Sequence, residues 1–196
     1  MTRLGWSILA LILLLGAAFV AMTSFGTASR QPARIEVATV APPPPFDGEA
    51  SLIVPVAGVR RDRLYDSWGD ARGGGTRGHH GTDIPAAQGT PVVAAAGGMI
   101  EKLFQSRLGG TTAYVRSPDR RWIYYYAHLA DYAPGLREGQ RVRAGQTIGF
   151  VGDTGDAGPG NYHLHFGMQR MAPGERWYQG QDVNPFPMLA GGAPTR

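Results

Sequence analysis

Between Ser51 and Met188 no apolar run outlasts a single β-strand before a glycine, proline or aspartate interrupts it. The chain holds 29 Gly and 15 Pro, and none of its folded part reads as an amphipathic helix of useful length. That density of breakers excludes a helical bundle, while 43% hydrophobic residues are too many for a disordered chain. The short runs are rich in β-branched and aromatic residues, which suits strands. The sequence predicts strands at Leu52–Val56, Pro91–Ala96, Met99–Gln105, Thr111–Arg116, Trp122–Leu129, Thr147–Val151 and His163–Gln169. Ser117-Pro118-Asp119-Arg120 reads as a hairpin turn between two of them. Gly89-Thr90-Pro91-Val92 and Gly139-Gln140-Arg141-Val142 share a turn-to-strand pattern. The expected fold is mainly β, an antiparallel sheet with long Gly-rich loops at 70–78 and 152–161.

The N-terminus has a different grammar. Leu4–Met22 is a 19-residue stretch without a charge, roughly 28 Å long as a helix and close to the thickness of a bilayer core. It predicts export. The first reading is a retained anchor in the cytoplasmic membrane, and the second is a signal peptide cleaved after Gly26-Thr27-Ala28. Residues 29–50 show no hydrophobic period and end in Ala41-Pro42-Pro43-Pro44-Pro45, an extended tether. The division expected is therefore 1–28 signal or anchor, 29–50 Pro-rich linker, and 51–196 folded domain.

With no cysteine, the chain has no disulfide framework, no thiolate metal site and no cysteine nucleophile. Its net charge of +4 comes from scattered residues, which gives no nucleic-acid footprint. Lys102, the single lysine, falls inside a predicted strand rather than on a hairpin tip, which argues against a swinging-arm carrier domain.

The five histidines concentrate the chemistry. His79 and Asp83 stand four residues apart, and Gly81 and Pro85 make a helix there improbable. A loop entering a strand can still converge both on one ion. His163 and His165 occupy positions i and i+2 of a strand and so share one face, with Leu164 and Phe166 on the other. By the same alternation His128 shares a face with Trp122, Tyr124 and Tyr126. Each pattern alone fits a plain structural role as well as a site. Taken together they fit zinc, which takes imidazole and carboxylate ligands, usually three from the protein at a catalytic site. In a chain without cysteine that set is His₂Asp, and of the three histidines that remain two are left for proton transfer.

The motifs His79-x-x-x-Asp83, Tyr-Ala-His128-Leu and His163-x-His165, in this order, resemble those of the lysostaphin-type zinc endopeptidases of bacterial cell walls. Ser67-Trp68-Gly69-x-x-Arg72 before the first motif and Gly145-Gln146-Thr147-Ile148-Gly149-Phe150-Val151-Gly152 before the last are similar too. The resemblance spans residues 51–188. It implies a groove over a Zn2+ site, with His79, Asp83 and His165 as metal ligands and His128 and His163 as catalytic histidines beside them. His80 receives no role. The implied activity is hydrolysis of stem or bridge peptides of peptidoglycan. The alternative is a weak or inactive relative that binds the wall or activates another wall hydrolase.

Overall fold

A computed structural model describes residues 52–191 of the 196-residue chain. The expectations for Leu4–Met22 and for the Pro-rich tether lie outside the described residues. Among the described residues no helix is long and apolar enough to cross a membrane.

The strands in chain order are β1 (Ala71–Arg72), β2 (Arg77–Gly78), β3 (Thr82–Pro85), β4 (Pro91–Val93), β5 (Gly98–Ser106) and β6 (Gly110–Arg116). They continue with β7 (Trp122–Tyr132), β8 (Arg141–Val142), β9 (Thr147–Val151), β10 (His163–Arg170) and β11 (Gln181–Asp182). A short α-helix, α1 (Phe186–Leu189), follows, and one 3-10 turn (Arg61–Arg63) precedes β1 among the described residues. Strands β1 and β2 pair with each other, and the rest form one sheet in the order β11-β10-β7-β6-β5-β8, with β3 added on β10 and β9 on β7. Every pairing is antiparallel, as the breaker spacing led us to expect.

The long strands alternate as a two-faced sheet must. Ala113 and Val115 of β6, Tyr124 and Tyr126 of β7, and Leu164, Phe166 and Met168 of β10 are all at most 1% exposed and form the core face. Leu52, Val56, Val92 and Ile148 pack into the same core. Tyr126 brings a hydroxyl into that core, and it is satisfied by the Ala95 N–H at 2.8 Å. The hairpin at 117–120 forms as predicted, closed by Ser117 N–H to Trp122 O at 3.0 Å, with Arg120 in the left-handed region.

Four expectations need correction. The strand expected at Pro91–Ala96 stops at Val93, and the segment 70–78, expected as a Gly-rich loop, is the β1–β2 hairpin. Leu52–Val56 does not form a ladder strand; it meets the sheet at one isolated bridge, Val56 to Val92. Pro55 lacks the N–H that a regular ladder would use, although its carbonyl accepts from Val93. The expected face of His128 is also wrong. Tyr124 and Tyr126 point into the core, while His128 lies on the opposite face with Tyr125 and Ala127. The cause is local: His128 has φ of +60° and the pairing of β7 with β6 shifts register across this stretch. One left-handed residue in a bulge re-aims the side chains that follow.

Candidate active site

The groove face of the sheet is built where β3, β10 and β7 lie side by side. Antiparallel register sets Asp83 of β3 opposite His165 of β10, and His165 opposite Ala127 of β7. His163, two residues before His165, shares its face as predicted, with Leu164 and Phe166 buried behind. His79 enters from the turn between β2 and β3, where its backbone bonds to Asp70 and Gly69 fix the approach.

Three ligand-type atoms converge. His79 Nε2 lies 2.8 Å from His165 Nδ1 and 3.0 Å from Asp83 Oδ1, and His165 Nδ1 lies 3.1 Å from Asp83 Oδ1. This triangle tests whether the residues fit a metal. His79 Nδ1 donates to the Ser67 carbonyl at 2.7 Å, so the neutral ring presents a lone pair at Nε2. That lone pair faces a carboxylate oxygen, an arrangement that a cation between them resolves. Ligand atoms at about 2.0–2.2 Å from a tetrahedral zinc stand about 3.3–3.6 Å apart, a few tenths of an ångström wider than the 2.8–3.1 Å spacing here. The group fits.

Surrounding contacts aim the three side chains. Ser67 is fully buried; its carbonyl takes the His79 proton and its Oγ accepts the Asp83 N–H at 3.1 Å. Arg72 donates to Asp83 Oδ2 at 2.6 Å, which leaves Oδ1 for the centre. Burial opposes ionisation of Asp83, but its close polar contacts with the His165 and His79 rings outweigh it and hold the carboxyl well below its usual range. Burial pushes His165 down, favouring the neutral imidazole that a ligand must be. Gly81 is a spatial requirement: a Cβ there would stand 2.6 Å from His165 Cε1 and 2.8 Å from the Phe166 carbonyl. Gly81→Ala should therefore lower metal affinity by about 10–100-fold, as displaced outer contacts do. Titration of the metal-free protein with zinc would show it.

His128 and His163 stand next to the triangle, their rings 4.8 Å apart, and His128 is 5.9 Å from His165. Each donates Nδ1–H to a backbone carbonyl at 2.8 Å, Thr154 for His128 and Asn161 for His163. Each therefore keeps Nε2 unprotonated when neutral. Burial lowers the His128 pKa from 6.5 to about 4. A histidine depressed in the fold resists a proton that the unfolded chain accepts, so low pH favours unfolding. The His128 contribution to stability should be complete above pH 6.5 and lost as pH falls towards 4. Denaturant midpoints of parent and His128→Asn compared across that range would measure it.

His80 stays outside the triangle. It is exposed, stacks on Trp68 at 5.3 Å and pairs with Asp182 at 2.8 Å. The β1–β2 hairpin and the Gly-rich loop at 152–161 wall a groove of about 700 Å³ over the centre, through Arg72, Arg77, Asp156 and Asn161. Arg77 and Asp156 form an ion pair between the hairpin and the loop. The residue reading missed the parts played by Ser67, Arg72 and Gly81. The first two stand in the motif before His79, but their roles depend on contacts 11 to 16 residues away.

An antiparallel sheet with a His–Asp–His triangle under a groove, flanked by two further imidazoles, is the layout of a β-sheet metallopeptidase. The sequence profile of Peptidase family M23 matches residues 77–185, a span that encloses all five residues of the centre. The chain belongs to that family. It is 39% identical over 149 residues to an L-Ala–D-Glu endopeptidase of Bacillus subtilis, covering 72% of this chain and 43% of that protein. It is 39% identical over 94 residues to a peptidoglycan DD-endopeptidase of Vibrio cholerae, covering 47% of this chain and 20% of that protein. This chain thus spans less than half the length of these curated relatives. Among solved structures it resembles the catalytic domain of the antimicrobial peptidase lysostaphin from Staphylococcus simulans. That match has a TM-score of 0.53 at 30% identity, over 65% of this chain and 91% of that one.

Proposed function

We propose that this protein is a zinc-dependent endopeptidase that hydrolyses peptide cross-links of bacterial peptidoglycan. The observation that carries the reading is the convergence of His79 Nε2, Asp83 Oδ1 and His165 Nδ1 within 3.1 Å of one another beneath an open groove. These three would hold the metal. Bound there, zinc would polarise the scissile carbonyl and make water a stronger acid. The chain's own residues do the rest. Of the two free Nε2 atoms on His128 and His163, one takes the proton of the attacking water and delivers it to the leaving amine. The other, its Nδ1–H already held by a backbone carbonyl, donates to the carbonyl oxygen through Nε2 only in its doubly protonated form, as negative charge builds there. The complete set of five residues weighs against a wall-binding relative without activity.

The B. subtilis and V. cholerae relatives, named for peptidoglycan bonds, support the substrate class. Exposure of purified peptidoglycan to the full-length protein should release peptides identifiable by mass. A chelator should stop the release and zinc should restore it; release that persists after chelation would overturn the mechanism. The apolar run 4–22 supports export and retention on the outer face of the cytoplasmic membrane. Ser29 as the first residue of the mature protein would overturn retention.

A further inference from the structure

The aromatic side chains beside the centre form a continuous track. Tyr125 packs edge-on to His165 at 5.7 Å, Tyr114 lies 4.7 Å from Tyr125, and Trp177 lies 4.5 Å from Tyr114. Phe104 and Tyr178 then flank Trp177 at 5.4 and 5.1 Å. Tyr125 and Tyr114 line the groove, while Phe104 and Tyr178 are 40% and 53% exposed. The track thus leads from the centre out to the surface.

The fold holds this outer shelf in place. Trp177 and Tyr178 sit on the loop between β10 and β11, and the buried Arg116 ties that loop to the sheet. Its guanidinium donates to the Glu175 carbonyl at 3.1 Å while also engaging both Glu101 oxygens. Met171 N–H bonds to Arg121 O, and Arg176 Nη1 donates to the Tyr178 hydroxyl at 3.3 Å. A half-exposed Tyr178 on so anchored a loop, with Phe104 of β5 exposed beside it, calls for an occupant.

We propose that this shelf binds a sugar ring of the glycan strand, so that the preferred substrate is a stem peptide still attached to its glycan. The proposal rests on the endopeptidase reading above and adds a substrate requirement to it. A pyranose ring is amphipathic, with C–H bonds on its faces and hydroxyls around its edge. Aromatic faces carry the negative side of a quadrupole and attract weakly positive C–H groups. The margin of the shelf is polar, with Arg176, Gln179 and the Lys102–Glu138 pair, and Lys102 lies directly opposite Tyr114. This suits hydroxyls and acetamido groups better than a wholly apolar partner. The track is also short. Extended peptide advances about 3.3–3.6 Å per residue, so a sugar on the shelf and a bond at the centre are separated by only a few residues.

The test uses the full chain and a peptide-free tetrasaccharide of alternating N-acetylglucosamine and N-acetylmuramic acid. Saturation-transfer NMR should show the sugar bound, with binding lost in Trp177→Ala and kept in His165→Ala. In parallel, kcat and KM are compared for a stem peptide on its glycan and the same peptide released from it. The parent should favour the glycan-linked form by about five- to tenfold, mainly in KM, the worth of an aromatic contact or two. Trp177→Ala should bring the ratio to about one, and Trp177→Phe should restore part of it. A melting curve identifies misfolding, in which case Trp177→Phe and Tyr178→Ser carry the comparison. No tetrasaccharide binding, or equal use of both peptides by the parent, overturns the glycan shelf and leaves the endopeptidase reading intact. An equal Trp177 dependence on both peptides assigns the shelf to a peptide side chain and also overturns it. Sugar binding without hydrolysis of either peptide upholds the shelf and overturns the endopeptidase reading.

Discussion

Replacing His165 with alanine is expected to remove bound metal and activity together. Its Nδ1 stands on two edges of the ligand triangle, at 2.8 Å from His79 Nε2 and 3.1 Å from Asp83 Oδ1. Two protein ligands cannot hold zinc as three do, and on the proposed mechanism the site would depend on the ion for its Lewis acidity. Turnover should fall by more than about 10³-fold, and metal analysis after dialysis should find the variant essentially empty. His165 faces the groove rather than the core, so the metal-free parent and variant should melt within a few degrees of each other. A variant that retains stoichiometric zinc would remove His165 from the ligand set.

His163→Ala should separate metal from catalysis. The ring lies on the same strand face as His165, but its Nε2 is 3.8 Å from Asp83 Oδ1, outside the triangle. Zinc content should stay near that of the parent while turnover drops by about 10²–10⁴-fold, the usual worth of a positioned acid–base group. His128 should give the same pattern, but alanine is a poor probe there. The backbone at φ +60° suits His and Asn far better than Ala, so His128→Asn removes the imidazole without adding strain. On the proposed mechanism both rings would serve one proton path, so the double variant should lose less than the product of the single losses. Metal loss in His163→Ala equal to that in His165→Ala would undo the division of the pair.

Much of the fold was legible in local pattern. Thr147–Val151 forms at the predicted bounds, and the strands around 99–105, 111–116, 122–129 and 163–169 extend by a few residues at most. Alternation also placed His163 and His165 together, because both lie in a regular stretch of β10. It failed at His128, where the strand is not regular. It failed too at Leu52–Val56, whose extended chain is interrupted by Pro55. Strand β3 escaped a periodicity search because Thr82–Pro85 is four residues long and ends in proline.

The sequence by itself determined the class of fold, the candidate ligand and proton-transfer side chains, and their order along the chain. These depend on turn chemistry, strand alternation and residue type, all of which act over a few residues. Tertiary structure alone decided that His79 meets His165, 86 positions away, and that Asp83 lies across from it. It also decided that Ser67 and Arg72 aim the ligands, that Gly81 leaves room for an imidazole, and that Trp177 continues a track begun at Tyr125. Such pairings follow from strand register and loop packing. They are set by the burial of the whole core face at once, so no local stretch of sequence records them.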